Sequence, residues 1–257
     1  MSTSALAAPA PAATTEDEII FYDLLCAAPG ECWSPHCWKT RMALQYKGVR
    51  FRTVWVSYPD IKSVVGHTQP GKDAPTLPVI QHGSTWVADS WQIVQYLEAH
   101  FPSPPLLLPS IQSTHFFMCY CDYVLNPAMW QWIVPRVPAF LDERGGEYFV
   151  RTREAMLGIS LEEAGRGQTI YSLRAPLAPV AKNLKEYGPY IAGKQISYMD
   201  IILLGMLQWI DRAEHAAVHT ILGMHKSDVG EPIREWYDRV KHLTVAQPEP
   251  AESASGR

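Results

Sequence analysis

The stretch that decides the fold is residues 33–37, Trp-Ser-Pro-His-Cys (WSPHC), which separates a short apolar run from a helical pattern. The apolar run, residues 19–22 (IIFY), predicts a buried β-strand. Ser34 is a favoured N-cap residue and Pro35 a favoured first helical residue, so a helix is predicted over residues 35–46. A strand, a loop and a helix in this order predict the start of a βαβ unit.

Outward from this stretch, alternation and turn residues predict the rest of the first half. Residues 51–56 (FRTVWV) alternate as a strand does, and residues 59–66 predict a short helix. Two short strands, 77–80 and 85–87, form a predicted hairpin, and an amphipathic helix follows over residues 89–100. The βαβ half requires a parallel pair and the hairpin an antiparallel pair, so the predicted four-stranded sheet is mixed.

The second half of the chain is predicted to be entirely helical. Residues 101–105 (FPSPP) cannot continue a helix and mark the change of character. The predicted helices cover residues 111–132, 148–165, 172–187, 198–215 and 231–243. The fold class is therefore α/β followed by all-α, with an α/β domain at 19–105 and an all-helical domain at 111–244. The tails, 1–18 and 247–257, lack the apolar residues that folding requires and are predicted to be disordered.

Composition and charge exclude several classes of protein. The net charge of −4 argues against a nucleic-acid partner. No apolar stretch approaches the roughly 18 residues of a membrane span, and the first residues lack the pattern of a secretory signal. The five cysteines are odd in number and unpatterned, which favours a reducing, cytoplasmic compartment. No His, Cys, Asp or Glu group has the spacing of a zinc site, so no metal is predicted.

The head of the helix at residues 35–46 is a candidate anion site. Free backbone N–H groups and the helix dipole favour a negative group at this point, and a thiolate is such a group. Lowering a thiol pKa by about two units takes roughly 2.7 kcal/mol. The Ser34 hydroxyl with one or two N–H groups could supply that. The alternative is that Ser34 only caps the helix.

A second candidate is Leu77-Pro78, at the start of a predicted strand. A proline inside a strand is disfavoured, but a cis Pro78 at its start resolves the conflict. Leu77 would then offer its N–H and C=O groups for a short antiparallel pairing with a bound peptide. An ordinary edge-strand proline is the alternative.

A third candidate, Asp89-Ser90, opens another predicted helix. Asp89 fits an N-cap residue with Gln92 as its partner. A hydroxyl and a carboxylate at a helix N-terminus also suit the α-carboxylate and α-amine of an amino acid. By contrast, Ser197 and Asp200 predict a capping box that serves folding alone.

Together these residues resemble the glutathione transferase family. The resemblance implies a thioredoxin-like half, followed by a helical half that forms the hydrophobic substrate site. In that family the loop before the first helix holds the catalytic residue, here Ser34. The cis-proline dipeptide corresponds to Leu77-Pro78, and the acid-Ser pair that binds the γ-glutamyl end of glutathione corresponds to Asp89-Ser90.

Closer similarity is to the fungal FuA class, related to bacterial β-etherases of lignin breakdown. It rests on residues 34–41, 55–61 and 76–80. The resemblance implies glutathione as co-substrate, a hydrophobic aromatic small molecule as second substrate, and a homodimer. Ser34 would orient the glutathione thiolate, which attacks a carbon bearing an aryl-ether leaving group and releases a phenol.

Other site residues and functions stay open. Candidates for the glycine end of glutathione are Lys39, Lys62 and His67, and candidates for the aromatic substrate wall are Trp33, Met118, Tyr120 and Tyr123. A non-catalytic protein that binds wood-derived phenolics would use the same cleft. Redox relatives carry a nucleophilic Cys where Ser34 stands, so a thiol-oxidoreductase working through Cys37 or Cys32 is a further alternative.

Overall fold

The computed structural model describes residues 18–223 and 229–245. Apart from Glu18, the two predicted tails lie outside the described residues. The strands of the N-terminal half are β1 (Ile19–Leu24), β2 (Phe51–Val56), β3 (Val79–His82) and β4 (Thr85–Ala88), in the spatial order β2-β1-β3-β4. The β1–β2 pair is parallel, and the other two pairs are antiparallel, so the predicted mixed sheet is confirmed.

Three helices accompany this sheet: α1 (Pro35–Tyr46), α2 (Ile61–Val65) and α3 (Ser90–His100). The observed limits of α1 are the predicted ones, because Ser34 and Pro35 mark its start. The strand predicted over residues 77–80 begins only at Val79, since Pro78 has no N–H to donate to a ladder.

The C-terminal half contains the helices α4 (Ile111–Tyr120), α5 (Asn126–Ile133), α6 (Glu143–Leu157), α7 (Leu161–Gly165), α8 (Arg174–Tyr187), α9 (Tyr198–Ala213), α10 (His215–Gly223) and α11 (Gly230–Val240). Among residues 18–223 and 229–245, no helix combines the length and hydrophobicity that crossing a membrane requires.

The structure divides two helices that were predicted as continuous. One turn of π-helix, Cys121–Leu125, separates α4 from α5 just before Pro127. Proline lacks an N–H and its ring crowds the preceding turn, and a widened turn relieves that conflict. The second helix begins earlier than predicted, at Glu143, and ends at Leu157, where Gly158 with a φ of 73° caps α6 before α7.

The two halves are joined mainly by α1 packing on α9. Gly205 in α9 lets the backbones approach, because a Cβ there would lie 2.9 Å from the Pro35 carbonyl oxygen. The start of α9 is tied internally by buried Asp200, whose carboxylate accepts hydrogen bonds from Ser197 and from the indole N–H of Trp236. The predicted Ser197–Asp200 capping box is thus confirmed.

Candidate functional site

The three predicted site segments converge at one edge of the sheet. Ser34 follows β1, and Pro78 precedes β3, which runs antiparallel beside β1 with Tyr22 opposite Val79. The end of β1 and the start of β3 therefore share one edge. The Asp89 N–H donates to the Pro78 carbonyl at 3.2 Å, which brings the head of α3 to the same edge.

At this edge, Ser34 caps α1 and is almost fully buried. Its Oγ accepts a hydrogen bond from the Cys37 backbone N–H at 3.5 Å, the outer limit for such a bond. A hydroxyl can donate one hydrogen while it accepts another. Capping therefore uses only an acceptor site of the Ser34 oxygen and does not use its O–H hydrogen.

The second segment, Leu77-Pro78, has the predicted geometry, since its peptide bond is cis.

The third segment begins at Asp89, which has a positive φ of 79°, unusual for a residue other than glycine. Its carboxylate accepts hydrogen bonds from the N–H groups of Trp91 (2.9 Å) and Gln92 (3.2 Å). Ser90 is buried, and its carbonyl accepts a bond from the Tyr198 hydroxyl of α9 at 3.0 Å. The head of α3 is thus held from both domains.

The three residues predicted for the glycine end, Lys39, Lys62 and His67, lie in different environments, and Lys39 is the buried one. Lys39 is buried against α9, where a Cβ built on Gly205 would lie 3.6 Å from the Lys39 Cγ. Its positive charge interacts with the carboxylates of Asp89 and Asp122. Burial lowers the pKa of the Lys39 ammonium, and the two carboxylates oppose that shift. Lys62 is exposed on α2, and His67 packs edge-on against Trp86 at 4.7 Å between ring centroids. Lys39 therefore belongs to the Asp89 side of the site.

An aromatic cluster borders the Ser34 loop: Trp33, Tyr58, Phe140, Tyr148 and Phe149. The Trp33 ring lies 5.3 Å from that of Phe140 and 6.0 Å from that of Tyr58, which in turn stacks on Tyr148 from α6. Tyr58 also contacts Phe149, and the pKa of its phenol is raised by burial and lowered in part by Arg153. Sequence reasoning missed this cluster apart from Trp33, because its members come from separate parts of the chain.

The predicted wall residues are spread over different environments. Trp33 is buried within the aromatic cluster, and its indole N–H donates to the Leu25 carbonyl at 3.3 Å. The Tyr120 hydroxyl donates to the Pro176 carbonyl of α8, and Met118 is half-buried. Tyr123 is 80% exposed. Their role as a substrate wall stays a prediction.

The cysteines beside Ser34 are buried thiols. Cys37 is fully buried and Cys32 nearly so, and both are free. Burial raises the pKa of each thiol well above its usual range, and the Asp23 carboxylate raises it further. A thiol kept neutral in this way is a poor nucleophile. Among the described residues, no group of three or more His, Cys, Asp or Glu side chains could hold a metal ion.

The sequence of this chain matches one family in two separate regions. The family profile "Glutathione S-transferase, N-terminal domain" matches residues 33–100, and the profile "Glutathione S-transferase, C-terminal domain" matches residues 113–239. The glutathione S-transferase-like protein ustS of Aspergillus flavus is 31% identical over 261 residues, covering 90% of this chain and 92% of that protein. The chain belongs to the glutathione S-transferase family.

Solved structures place this transferase near the fungal FuA proteins. A glutathione S-transferase of Ceriporiopsis subvermispora, solved with glutathione, is 30% identical with a TM-score of 0.77, covering 89% of this chain and 98% of that one. Glutathione transferase GSTFuA3 of Phanerochaete chrysosporium is 31% identical with a TM-score of 0.76, covering 90% and 98% of the two chains. The thioredoxin-like fold with its helical second domain and the similarity to the FuA class are thereby confirmed.

Proposed function

We propose that this transferase binds glutathione across the heads of α1 and α3 and transfers it to a hydrophobic aromatic electrophile. The observation that carries the proposal is the meeting of three segments at one sheet edge: capping Ser34, cis Pro78 and the Asp89-Ser90 helix head. The similar Ceriporiopsis protein, crystallised with glutathione, supports the choice of ligand.

The chemistry follows from these positions. The Ser34 hydroxyl and the N-terminus of α1 stabilise the glutathione thiolate. The backbone of Leu77 pairs with the cysteinyl part of the tripeptide, and Asp89-Ser90 holds the γ-glutamyl end. The thiolate attacks the electrophilic carbon, and the leaving group departs with the bonding electron pair. With a β-aryl ether the leaving group is a phenolate, which takes up a proton.

An aromatic second substrate is supported by the cluster next to Ser34. Tyr58 packs on Tyr148 and Phe149 of α6 beside the loop that carries Ser34, so aromatic side chains border the proposed glutathione site. Aromatic rings prefer such offset or edge-on neighbours. Thiol exchange through Cys37 or Cys32 is disfavoured, because burial raises the pKa of both thiols.

The test is incubation with glutathione and a β-aryl ether model compound, with released phenol and glutathione conjugate both measured. Ser34→Ala should lower conjugation by about 10- to 100-fold, since a hydrogen bond to a charged group is worth roughly 1.5–3 kcal/mol. Unchanged turnover in Ser34→Ala would contradict the role of this hydroxyl. Tight binding of the aryl ether without any turnover would favour a phenolic-binding protein.

The quaternary structure and compartment belong to the same proposal. Phe116 of α4 and Tyr123 of the π-helical turn that follows it are 76% and 80% exposed. Two large exposed aromatic rings about two helical turns apart support the expected homodimer, which sedimentation of Phe116→Ser would test by a shift towards monomer. The five free cysteines are compatible with the cytoplasm.

A further inference from the structure

Two histidine side chains meet at the surface of the second domain, outside the three segments of the proposed glutathione site. They are His215, the first residue of α10, and His219, one helical turn further along. Residues four positions apart lie on one face of a helix, so their rings can meet. The two Nε2 atoms are 3.0 Å apart, and the ring centroids are 4.6 Å apart. Both residues are exposed, so this histidine pair is open to solvent.

The distances between the two rings show how their nitrogens are directed. A metal ion about 2.0–2.1 Å from both Nε2 atoms, on the lone-pair axis of each ring, would form an N–metal–N angle of roughly 95° at the observed 3.0 Å. The ring centroids would then lie about 4.7 Å apart, because each centroid lies behind its nitrogen on the same axis. Two rings joined end to end by a straight N–H···N bond of this length would have centroids about 5.3 Å apart. The observed 4.6 Å matches the converging arrangement.

The ring of His215 is held by an acid on its other side. Its Nδ1 atom lies 2.6 Å from Oδ1 of Asp211, one turn earlier and near the end of α9. The carboxylate accepts the Nδ1–H hydrogen, which leaves the lone pair of Nε2 free. Histidines that bind metals almost always donate their other N–H to a carboxylate, a backbone carbonyl or water, which orients the ring and makes it more basic. Asp211 therefore occupies the position of an outer partner of a metal site.

The residues around the histidine pair add no third ligand within the described part of the chain. Glu214, which precedes His215, pairs instead with Arg136 at 3.6 Å. Closed structural zinc sites have four protein ligands, whereas an exposed pair leaves the remaining positions to water. An angle near 90° suits copper(II) and nickel(II), which form square-planar or tetragonal sites, better than zinc, which is tetrahedral.

We propose that His215 and His219 bind one copper(II) or nickel(II) ion through their Nε2 atoms, with the Asp211 carboxylate holding the His215 ring. A proton shared between the two Nε2 atoms in the metal-free protein leaves when the metal binds. The site is independent of the proposed transferase activity, and the experiments that test it contain no glutathione.

The affinity is measured by calorimetric titration of the full chain with nickel(II) chloride. The protein carries no histidine tag, and the buffer does not bind metals. One equivalent of nickel should bind saturably. The Cys119 thiol lies 3.7 Å from Nδ1 of His115 on α4 and forms a competing pair of possible ligands. Absence of saturable binding, or binding that Cys119→Ser abolishes, would overturn the proposal.

Three further variants assign the binding to the histidine pair. His219→Ala should weaken nickel binding at least about tenfold, since one imidazole remains. His242→Ala is the matched control, because it removes an exposed histidine whose Nδ1 lies 2.7 Å from the Arg239 carbonyl oxygen, and its affinity should equal that of the wild type. Asp211→Asn should bind roughly tenfold more weakly, the lower end of the usual effect of losing an outer partner. Equal affinity in His219→Ala and His242→Ala would contradict the proposal.

Electron paramagnetic resonance of the protein loaded with copper(II) sulfate tests the geometry. The Cys119→Ser variant is used, because it lacks the half-exposed thiol and the other four cysteines are buried. The spectrum should be tetragonal, and pulsed measurements should show couplings from two imidazole rings. A second substitution, His219→Ala, should remove at least one of these couplings. Coupling to fewer than two rings before that substitution would sink the proposal.

Discussion

At the scale of single residues, Asp89 combines a structural and a chemical role. Its carboxylate caps α3 through two backbone N–H groups, and its charge interacts with buried Lys39. The positive φ of 79° turns the chain from β4 into the head of α3, beside Pro78. Capping needs only an oxygen acceptor, whereas binding of an α-ammonium group needs the negative charge. The two roles can therefore be separated by substitution.

The substitution Asp89→Asn should preserve the fold and weaken the binding of glutathione. Asn caps helices about as well as Asp, so the free energy of unfolding should change by less than about 0.5 kcal/mol. Loss of the charge should raise the dissociation constant of glutathione roughly tenfold. Asp89→Ala, as the comparison, should lose both properties, with about 1 kcal/mol of stability. Calorimetric titration and urea unfolding measure the two effects, and equal glutathione affinity in Asp89→Asn and wild type would contradict the role of the charge.

At the scale of elements, the α1–α9 contact sets the position of the Ser34 loop. At Gly205 the two helices approach closely, because a Cβ at this position would lie 2.9 Å from the Pro35 carbonyl oxygen and 3.5 Å from the Trp38 side chain. A glycine inside a helix usually weakens it. Here its lack of a side chain permits the close approach on which the domain contact depends.

Gly205→Ala should therefore destabilise the protein, against the usual effect of this substitution. A methyl group must push α1 and α9 apart, which typically costs about 1–3 kcal/mol. Gly146→Ala in α6 is the matched control, since its Cβ would lie an ordinary 3.6 Å from the Pro138 carbonyl oxygen. That variant should gain about 0.5–1 kcal/mol from helix propensity. Urea unfolding measures the free energy of unfolding of both variants. An increase for Gly205→Ala would contradict the prediction, because it would show that α1 and α9 can move apart without loss of stability.

At the scale of the whole molecule, burial keeps several acidic groups protonated. The pKa values of the Cys32 and Cys37 thiols and of the Tyr58 and Tyr198 phenols are all raised, with burial as the first cause. In the unfolded chain these groups regain their ordinary values, about 8.5 for Cys and about 10 for Tyr. Above those values the unfolded state releases protons that the folded state keeps.

Stability should consequently fall as the pH rises above about 8.5, and be independent of these groups at lower pH. Each group that ionises only on unfolding lowers the free energy of unfolding by about 1.4 kcal/mol per pH unit. Urea unfolding between neutral and alkaline pH measures the slope. Cys37→Ala should reduce it, while Cys119→Ala, at a half-exposed position of α4, should serve as the control. A slope that Cys37→Ala leaves unchanged would contradict a protonated buried thiol at position 37.

Local signals in the sequence predicted most of the elements, but not α10 (His215–Gly223), and they supplied the candidate site residues. The limits of α1 and β2 and the cap at Asp89 were predicted, because caps, prolines and side-chain alternation act within a few residues. The cis bond at Pro78 was one of two alternatives that the residues left open, and the family resemblance favoured it. The π-turn before Pro127 and the end of α6 at Gly158 were missed, although both residues are local signals. The pattern of α4 and α5 is helical on both sides of the turn, and an isolated glycine is often tolerated in a helix.

Only the tertiary structure decided which distant residues meet. The ring of Tyr58 stacks on that of Tyr148, and the charge of Lys39 interacts with Asp89 and Asp122. Arg212 donates a hydrogen bond to Glu31, which is 181 positions away in the sequence. The aromatic cluster and the Arg212–Glu31 pair exist only because α6 and α9 pack against the first domain. Such contacts depend on how whole helices pack and on the desolvation of their side chains, and neither is a property of a short stretch of sequence.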